Sequence, residues 1–237
     1  MRPAGIRRGL GHTRRGGRGL DLYVGRSDGA GTPHALTSDG GTRVPGSFSP
    51  DGTLLAASVL NPATNMDIVT VSTVDGTITP FVSSAGIDML PVFSPDGRWI
   101  AYQSAGANVV PEVFVRSYPA GTGFRQVSSG GGVAPVWTKD GRELLYSSES
   151  PSGARVIAVA VTPSADGGLT FGKSQVLFEL PFAKSSLSTW FDASRDGSRF
   201  AVVLADGGAA SETALRHLTL VFNFFADIRR ATAVQVP

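Results

Sequence analysis

An aspartate–glycine turn between two apolar runs recurs at a nearly fixed interval along this chain, and that recurrence limits the folds open to it. The best copy is Phe93-Ser94-Pro95-Asp96-Gly97-Arg98-Trp99-Ile100-Ala101-Tyr102. Pro95 presets the φ wanted at the second position of a type I turn, Gly97 relaxes the exit, and Asp96 can accept from nearby backbone amides. Trp99 and Ala101 then alternate with Arg98, Ile100 and Tyr102, the period of two expected of a strand. Phe48-Ser49-Pro50-Asp51-Gly52 repeats the unit upstream, Trp137-Thr138-Lys139-Asp140-Gly141 repeats it downstream, and Ala193-Ser194-Arg195-Asp196-Gly197 is a weaker fourth copy. Asp51, Gly52, Asp96, Gly97, Asp140, Gly141, Asp196 and Gly197 are therefore read as structural turn residues. A catalytic residue is normally unique, whereas every repeat needs the same turn.

The spacing is 45 residues from Asp51 to Asp96, 44 from Asp96 to Asp140, and 56 from Asp140 to Asp196. Between the turns lie further strand signals. Asp21–Val24, Met66–Val71 and Glu112–Arg116 read as third strands, and Ile78–Val82 and Phe124–Val127 as short fourth ones. A repeat of this length with four short strands is a propeller blade. The fold expected is all-β: four blades plus the back half of one before them, with the turn-rich glycine and proline content of a chain of hairpins. In the expanded unit Arg155–Val161 and Gln175–Leu180 remain strand-like, so the extra length falls around 163–172 and 181–188. Arg199–Leu204 and His217–Phe222 read as strands of the last unit, and Phe224–Arg230 as one or two turns of helix with a basic end suited to the helix dipole. The organisation expected is an Arg/Gly-rich tail or damaged blade front over 1–20, blades over 21–225, and a C-terminal helix or tail over 226–237.

Charge is unevenly placed. The formal net charge is +2, yet Arg2, Arg7, Arg8, Arg14, Arg15 and Arg18 stand in the first 19 residues, which hold no acid. Without those six the chain has 15 basic and 19 acidic residues, a net of −4, so no broad positive surface is implied. The tract Arg14-Arg15-Gly16-Gly17-Arg18-Gly19 lacks interleaved aromatics, and no nucleic-acid partner is expected of it. With too little apolar periodicity to pack, residues 1–19 are expected to be dispensable. They have no apolar core of a secretory signal, and no run of 18 apolar residues occurs to cross a membrane. There is no cysteine, which excludes disulfides and thiolate metal sites.

The motif Phe-Ser-Pro-Asp-Gly-Arg-x-Ile-Ala-Tyr, with the Asp/Glu-x-x-Val strand after it, resembles the WD-like repeat of TolB-type β-propellers over about residues 21–205. The ending Leu218–Ile228 is similar to the tail of propellers fused behind bacterial eukaryotic-like serine/threonine kinases. Such kinases place a membrane span between kinase and propeller, so the resemblance implies an extracytoplasmic location. Ser-Pro-Asp-Gly blades also precede the hydrolase domain of prolyl-oligopeptidase-type peptidases. A six-bladed ring, as the TolB resemblance implies, needs about 270 residues at ~45 per blade. The 237 residues here are expected to leave the ring open and its blade edges prone to self-association.

No catalytic, cofactor or metal set emerges. Gly25-Arg26-Ser27-Asp28-Gly29 matches a nucleophile elbow, but Ala30-Gly31-Thr32-Pro33 is unsuited to the helix that must follow, and Thr73–Gly76 at the equivalent place is an ordinary hairpin turn. Asp192–Gly197 resembles the opening of a calcium loop, but its twelfth position is Val203 rather than glutamate. His12, His34 and His217 are the only histidines and stand in unlike segments. Kinase signatures are missing: there is no H-R-D, no D-F-G and no V-A-I-K. Phe48, Phe93, Trp137 and Phe191 before the turns read as packing between blades rather than as a ligand platform. The function expected is non-enzymatic recognition of a protein or small ligand at one propeller face, as the sensor or scaffold portion of a larger signalling protein such as a membrane-anchored kinase. The alternatives are a stand-alone TolB-like periplasmic scaffold and the propeller of a serine peptidase lacking its hydrolase domain.

Overall fold

A computed structural model describes residues 8–13, 19–26, 31–106, 110–151, 153–180, 191–194, 199–202 and 220–221. Every regular element among them is a β-strand. The chain divides into two compact units, Met1–Gly130 and Gly131–Pro237.

In the first unit, β1 (Arg8–Thr13), β2 (Asp21–Arg26) and β3 (His34–Ala35) form an antiparallel three-stranded sheet. The Arg/Gly-rich segment thus contributes a strand: all six residues of β1 pair with β2, from Arg8 opposite Arg26 to Thr13 opposite Asp21. The lack of apolar periodicity there did not preclude backbone pairing, and one front strand of this blade is present. The second blade is β4 (Arg43–Phe48), β5 (Leu54–Asn61), β6 (Asn65–Ser72) and β7 (Ile78–Val82), and the third is β8 (Ile87–Phe93), β9 (Trp99–Ala105), β10 (Glu112–Ser117) and β11 (Arg125–Gln126). One parallel pairing, Met66 with Ile87, joins these two blades.

The core of this unit lies between blades. Leu55 and Ala57 of β5 pack with Phe48, Val69 and Val71 against Leu22 and Val24 of β2 and Leu36, the residue after β3. Ala56, on the other face of β5, meets Phe93 and Ile100 of the third blade. Ile68 and Val82 pack on Tyr102. Because both faces of β5 are covered, its run Leu54-Leu55-Ala56-Ala57 is continuously apolar instead of alternating with polar residues.

In the second unit, β12 (Val133–Trp137), β13 (Glu143–Ser150), β14 (Gly153–Pro163), β15 (Leu169–Phe171) and β16 (Gln175–Leu180) form one sheet. The extra length of this unit is partly a hairpin. β15 folds back on the end of β14, with Phe171 opposite Val161, while β16 takes the fourth-strand place beside the start of β14. β17 (Phe191–Ala193), β18 (Phe200–Val202) and β19 (Leu220–Val221) form a last three-stranded sheet.

The aromatic series needs one correction of register. Phe48 faces Leu55, Phe93 faces Ile100 and Trp137 faces Leu144, but Phe200 at that position faces Ala193. Phe191 stands two residues earlier, opposite Val202. Phe48, Phe93 and Phe191 are buried and Trp137 is half-buried. Ser27–Gly29, residues 181–188, Asp196, Gly197, Val203, His217 and the helix expected at Phe224–Arg230 lie outside the described residues, as do residues 226–237.

Candidate recognition end of the blades

The first-to-second-strand turns close one end of the blades, and their bonding repeats. At Asp96, Gly97 N donates to Ser94 O at 2.9 Å, Ser94 Oγ donates to Asp96 Oδ1 at 2.6 Å, and Arg98 N donates to the same oxygen at 3.1 Å. Ser94 Oγ in turn accepts from Trp99 N at 3.0 Å. Ser49, Asp51, Thr53 and Leu54 reproduce this set, as do Thr138, Asp140, Arg142 and Glu143. At the fourth turn Arg199 N donates to Ser194 Oγ at 3.0 Å. Gly52, Gly97 and Gly141 have φ of 79°, 74° and 70°, the left-handed region in which a side chain is disfavoured. The Ser49 hydroxyl first, then Thr53, lowers the carboxyl of Asp51 below the usual range, and Arg142 N, then Thr138, does so at Asp140. Burial pushes Asp96 up, but bonds from Ser94 and Arg98 outweigh it and the net direction is down.

The opposite end is built differently. Each third strand of the first unit carries an acid within its first three residues, Asp21, Asp67 or Glu112, and a hydroxyl residue 16 positions later donates to it. Thr37 reaches Asp21 at 3.1 Å, Ser83 reaches Asp67 at 3.1 Å, and Ser128 makes a short bond to Glu112. Two of these hydroxyls also accept a buried amide: Leu22 N donates to Thr37 at 3.0 Å and Val113 N to Ser128 at 2.7 Å. Each pair ties the end of a fourth strand to the third.

Around these pairs lie further polar groups. Arg43, 4% exposed, holds Asp39 through two bonds of 2.6 and 2.7 Å and lies 3.8 Å from Asp21. The Arg43 guanidinium, with help from Gly41 N, brings the Asp39 carboxyl down to about 2. Asp67 Oδ2 accepts from Asn61 (2.7 Å), Thr64 (2.9 Å) and Ser83, and Asp88 Oδ2 accepts from Ser84 at 2.8 Å. Their Oδ1 atoms are buried without a hydrogen-bond partner. On β8 the ladder is broken by a register shift between Met89 and Val92, and the preceding blade satisfies two of its amides: Leu90 N donates to Ser58 Oγ at 3.2 Å and Phe93 N to Ser47 Oγ at 2.7 Å. Leu90 and Ala134, three residues before Phe93 and Trp137, have φ of 54° and 53°, which costs a residue with a Cβ about 1–2 kcal/mol.

Neither the acid–hydroxyl pairs nor the Asp39–Arg43 clamp stands out in the sequence. The signal that reveals the former is the constant interval of 16 residues within units offset by 46 and 45 residues. Of the other candidates, His34 is exposed and its backbone pairs with Val24 in the β2–β3 ladder. For His12 only the backbone is described. Asp192 Oδ1 accepts from Ala193 N at 2.8 Å, and β17 and β18 on either side of that segment are strands. Among the described residues, no three His, Asp or Glu side chains converge as a metal site and no helix is long and apolar enough to cross a membrane.

No protein-family model and no curated protein matches this chain. Solved structures do. The TolB of Acinetobacter baumannii superposes with a TM-score of 0.62 at 20% identity, over 80% of this chain and 44% of that one. A protein described as TolB from Agrobacterium tumefaciens gives 0.58 at 21%, over 71% of this chain and 60% of that one. A puromycin-hydrolyzing peptidase of Mycobacterium tuberculosis gives 0.58 at 20%, over 81% of this chain and 34% of that one. This chain therefore spans less than two thirds of each. With its sheets open, its fold is that of an incomplete TolB-like β-propeller.

Proposed function

We propose that this chain is a non-catalytic recognition propeller, the sensor or scaffold portion of a larger signalling protein such as a membrane-anchored serine/threonine kinase, working outside the cytoplasm. The observation that carries this is where the acids go. Asp51, Asp96 and Asp140 are engaged by their own turns, and Asp21, Asp67 and Glu112 by hydroxyls of their own blades. The eight turn residues are structural in this reading. What remains for a partner, a protein or a small ligand, is the loop surface at the acid-bearing end. The kinase assignment, and with it the location outside the cytoplasm, draws on the likeness of Leu218–Ile228 to kinase-fused propellers.

A second reading is favoured by the likeness to the puromycin-hydrolyzing peptidase, in which a propeller of this fold occupies part of a longer enzyme. The reading frame around the gene separates the two. An upstream kinase followed by a membrane span supports the first, and a downstream hydrolase domain the second. Enzymatically, ATP-dependent phosphorylation by this chain, or esterase activity lost in Ser27→Ala, would overturn the non-catalytic reading.

A further inference from the structure

We propose that β1 takes an acidic, extended segment of a partner protein as a further strand of the first sheet. Among the described residues β1 pairs on one side alone, with β2, so its other edge is open. In an antiparallel pair the N–H and C=O of alternate residues turn toward the partner strand, so half of the six residues of β1 present theirs to the open edge. The other terminal strands of the first unit are blunted. β3 and β11 are two residues long, and β4 and β7 carry Pro45 and Pro80. Short edges and prolines are the usual devices against strand addition, and β1 has neither.

Charge specifies which strand this edge accepts. β1 falls inside the first 19 residues, which hold six arginines and no acid. Arg8 belongs to the strand, Arg7 precedes it, and Arg14 and Arg15 follow Thr13. At ~3.5 Å per residue, chain connectivity alone keeps the backbone of these three within about 7 Å of the strand ends, inside a Debye length at physiological salt. The register adds Arg26, directly opposite Arg8. Like charges in that relation destabilise a strand pair. An acid on the incoming strand beside Arg8 relieves the repulsion, whereas a second copy of this chain brings another tract of arginines. Nucleic acid answers the charge but leaves the peptide edge unpaired. Main-chain bonds supply the affinity of strand addition, and here the arginines select an acidic strand.

The probe is a fluorescein-labelled peptide of alternating glutamate and valine, titrated with the full chain and followed by fluorescence anisotropy. A glutamate/proline peptide keeps the charge but cannot donate to a ladder from its prolines, a lysine/valine peptide reverses the charge, and oligouridylate carries charge without a peptide edge. Binding of the glutamate/valine peptide alone is expected, weaker as NaCl is raised, with slowed hydrogen exchange at β1 amides and dissociation of the chain's own oligomers. Arg8→Glu is expected to weaken it about tenfold by turning an exposed attraction into a repulsion. Deleting residues 1–13 should abolish it. If the deletion does not fold, Arg8→Glu still decides, because it places an acid opposite Arg26 and supports the β1–β2 ladder. Equal binding of the glutamate/proline peptide would reduce the effect to charge and overturn strand addition. Tighter binding of oligouridylate, or binding unchanged in Arg8→Glu, would overturn the proposal equally. Oligomers that persist under saturating peptide would make a second copy the occupant and sink it. None of these outcomes bears on recognition at the acid-bearing end.

Discussion

At the Ser94–Gly97 turn one carboxylate oxygen serves two donors, Ser94 Oγ and Arg98 N. Removing it in Asp96→Ala is expected to cost about 1 kcal/mol, the usual worth of such bonds at a partly exposed site, read as a lower urea midpoint. Any loss of ligand binding should follow that stability loss. Binding abolished at an unchanged Tm would contradict the structural reading of this aspartate. Asp39 carries a second prediction. Its carboxyl ordinarily titrates near 3.8 and is held at about 2 in the fold. The unfolded chain therefore takes up the proton first as pH falls, so this stabilisation is complete above roughly pH 5 and is lost between about pH 4 and 2. Asp39→Asn should flatten the pH dependence of the urea midpoint in that window. At neutral pH it should cost about 1–2 kcal/mol, because Arg43 is buried while its partner faces solvent, which screens the pair.

Where blades meet, the fit is set by backbone. A Cβ on Gly46 of β4 would lie 2.1 Å from the carbonyl oxygen of Pro91 on β8, a clash with backbone that no side-chain rotation relieves. Gly46→Ala is expected to destabilise by about 3 kcal/mol, at the upper end for overpacking, and to lower Tm while the far-UV strand signal persists until the melt. Ser58→Ala at the same junction leaves Leu90 N buried without an acceptor, a loss of about 1–3 kcal/mol. These junctions also mark the limit of what the sequence discloses. β7 and β16 coincide with the strands expected at Ile78–Val82 and Gln175–Leu180, because turn signals and apolar runs are local. β15 was hidden because its hairpin with β14 has no counterpart in the other repeats. β1 was hidden because Gly9 and Gly11 break any pattern of side chains while leaving the backbone free to pair. The Ser58–Leu90 contact spans 32 residues, and the Asp39–Arg43 clamp, though only four residues apart, has no repeat at the matching positions of the third blade, Ser84 and Asp88.

Across the whole chain, open sheets lead to the prediction of association. The first sheet shows three strands where the second and third blades have four, and β1 pairs on one side only among the described residues. An unpaired strand edge is a template for another chain, and glycine-rich RGLGHT offers only Arg8 and His12 as groups to discourage pairing. Deleting residues 1–13 should aggravate the problem rather than remove a dispensable tail. It strips the six-residue partner of β2 and bares the edge of a strand whose Leu22 and Val24 belong to the core. The truncated chain is expected to melt several degrees lower and to aggregate sooner on heating. A chain of 1–237 is itself expected to elute as oligomers in size exclusion with light scattering, concentration-dependent at micromolar protein. Supplying a fourth strand for the first sheet, as a synthetic peptide designed to pair with the free edge of β1, should shift it to monomer. A cooperative monomer of 1–237 at high concentration would show that the edge of β1 is already covered from within the chain, and the case for self-association would fall with it.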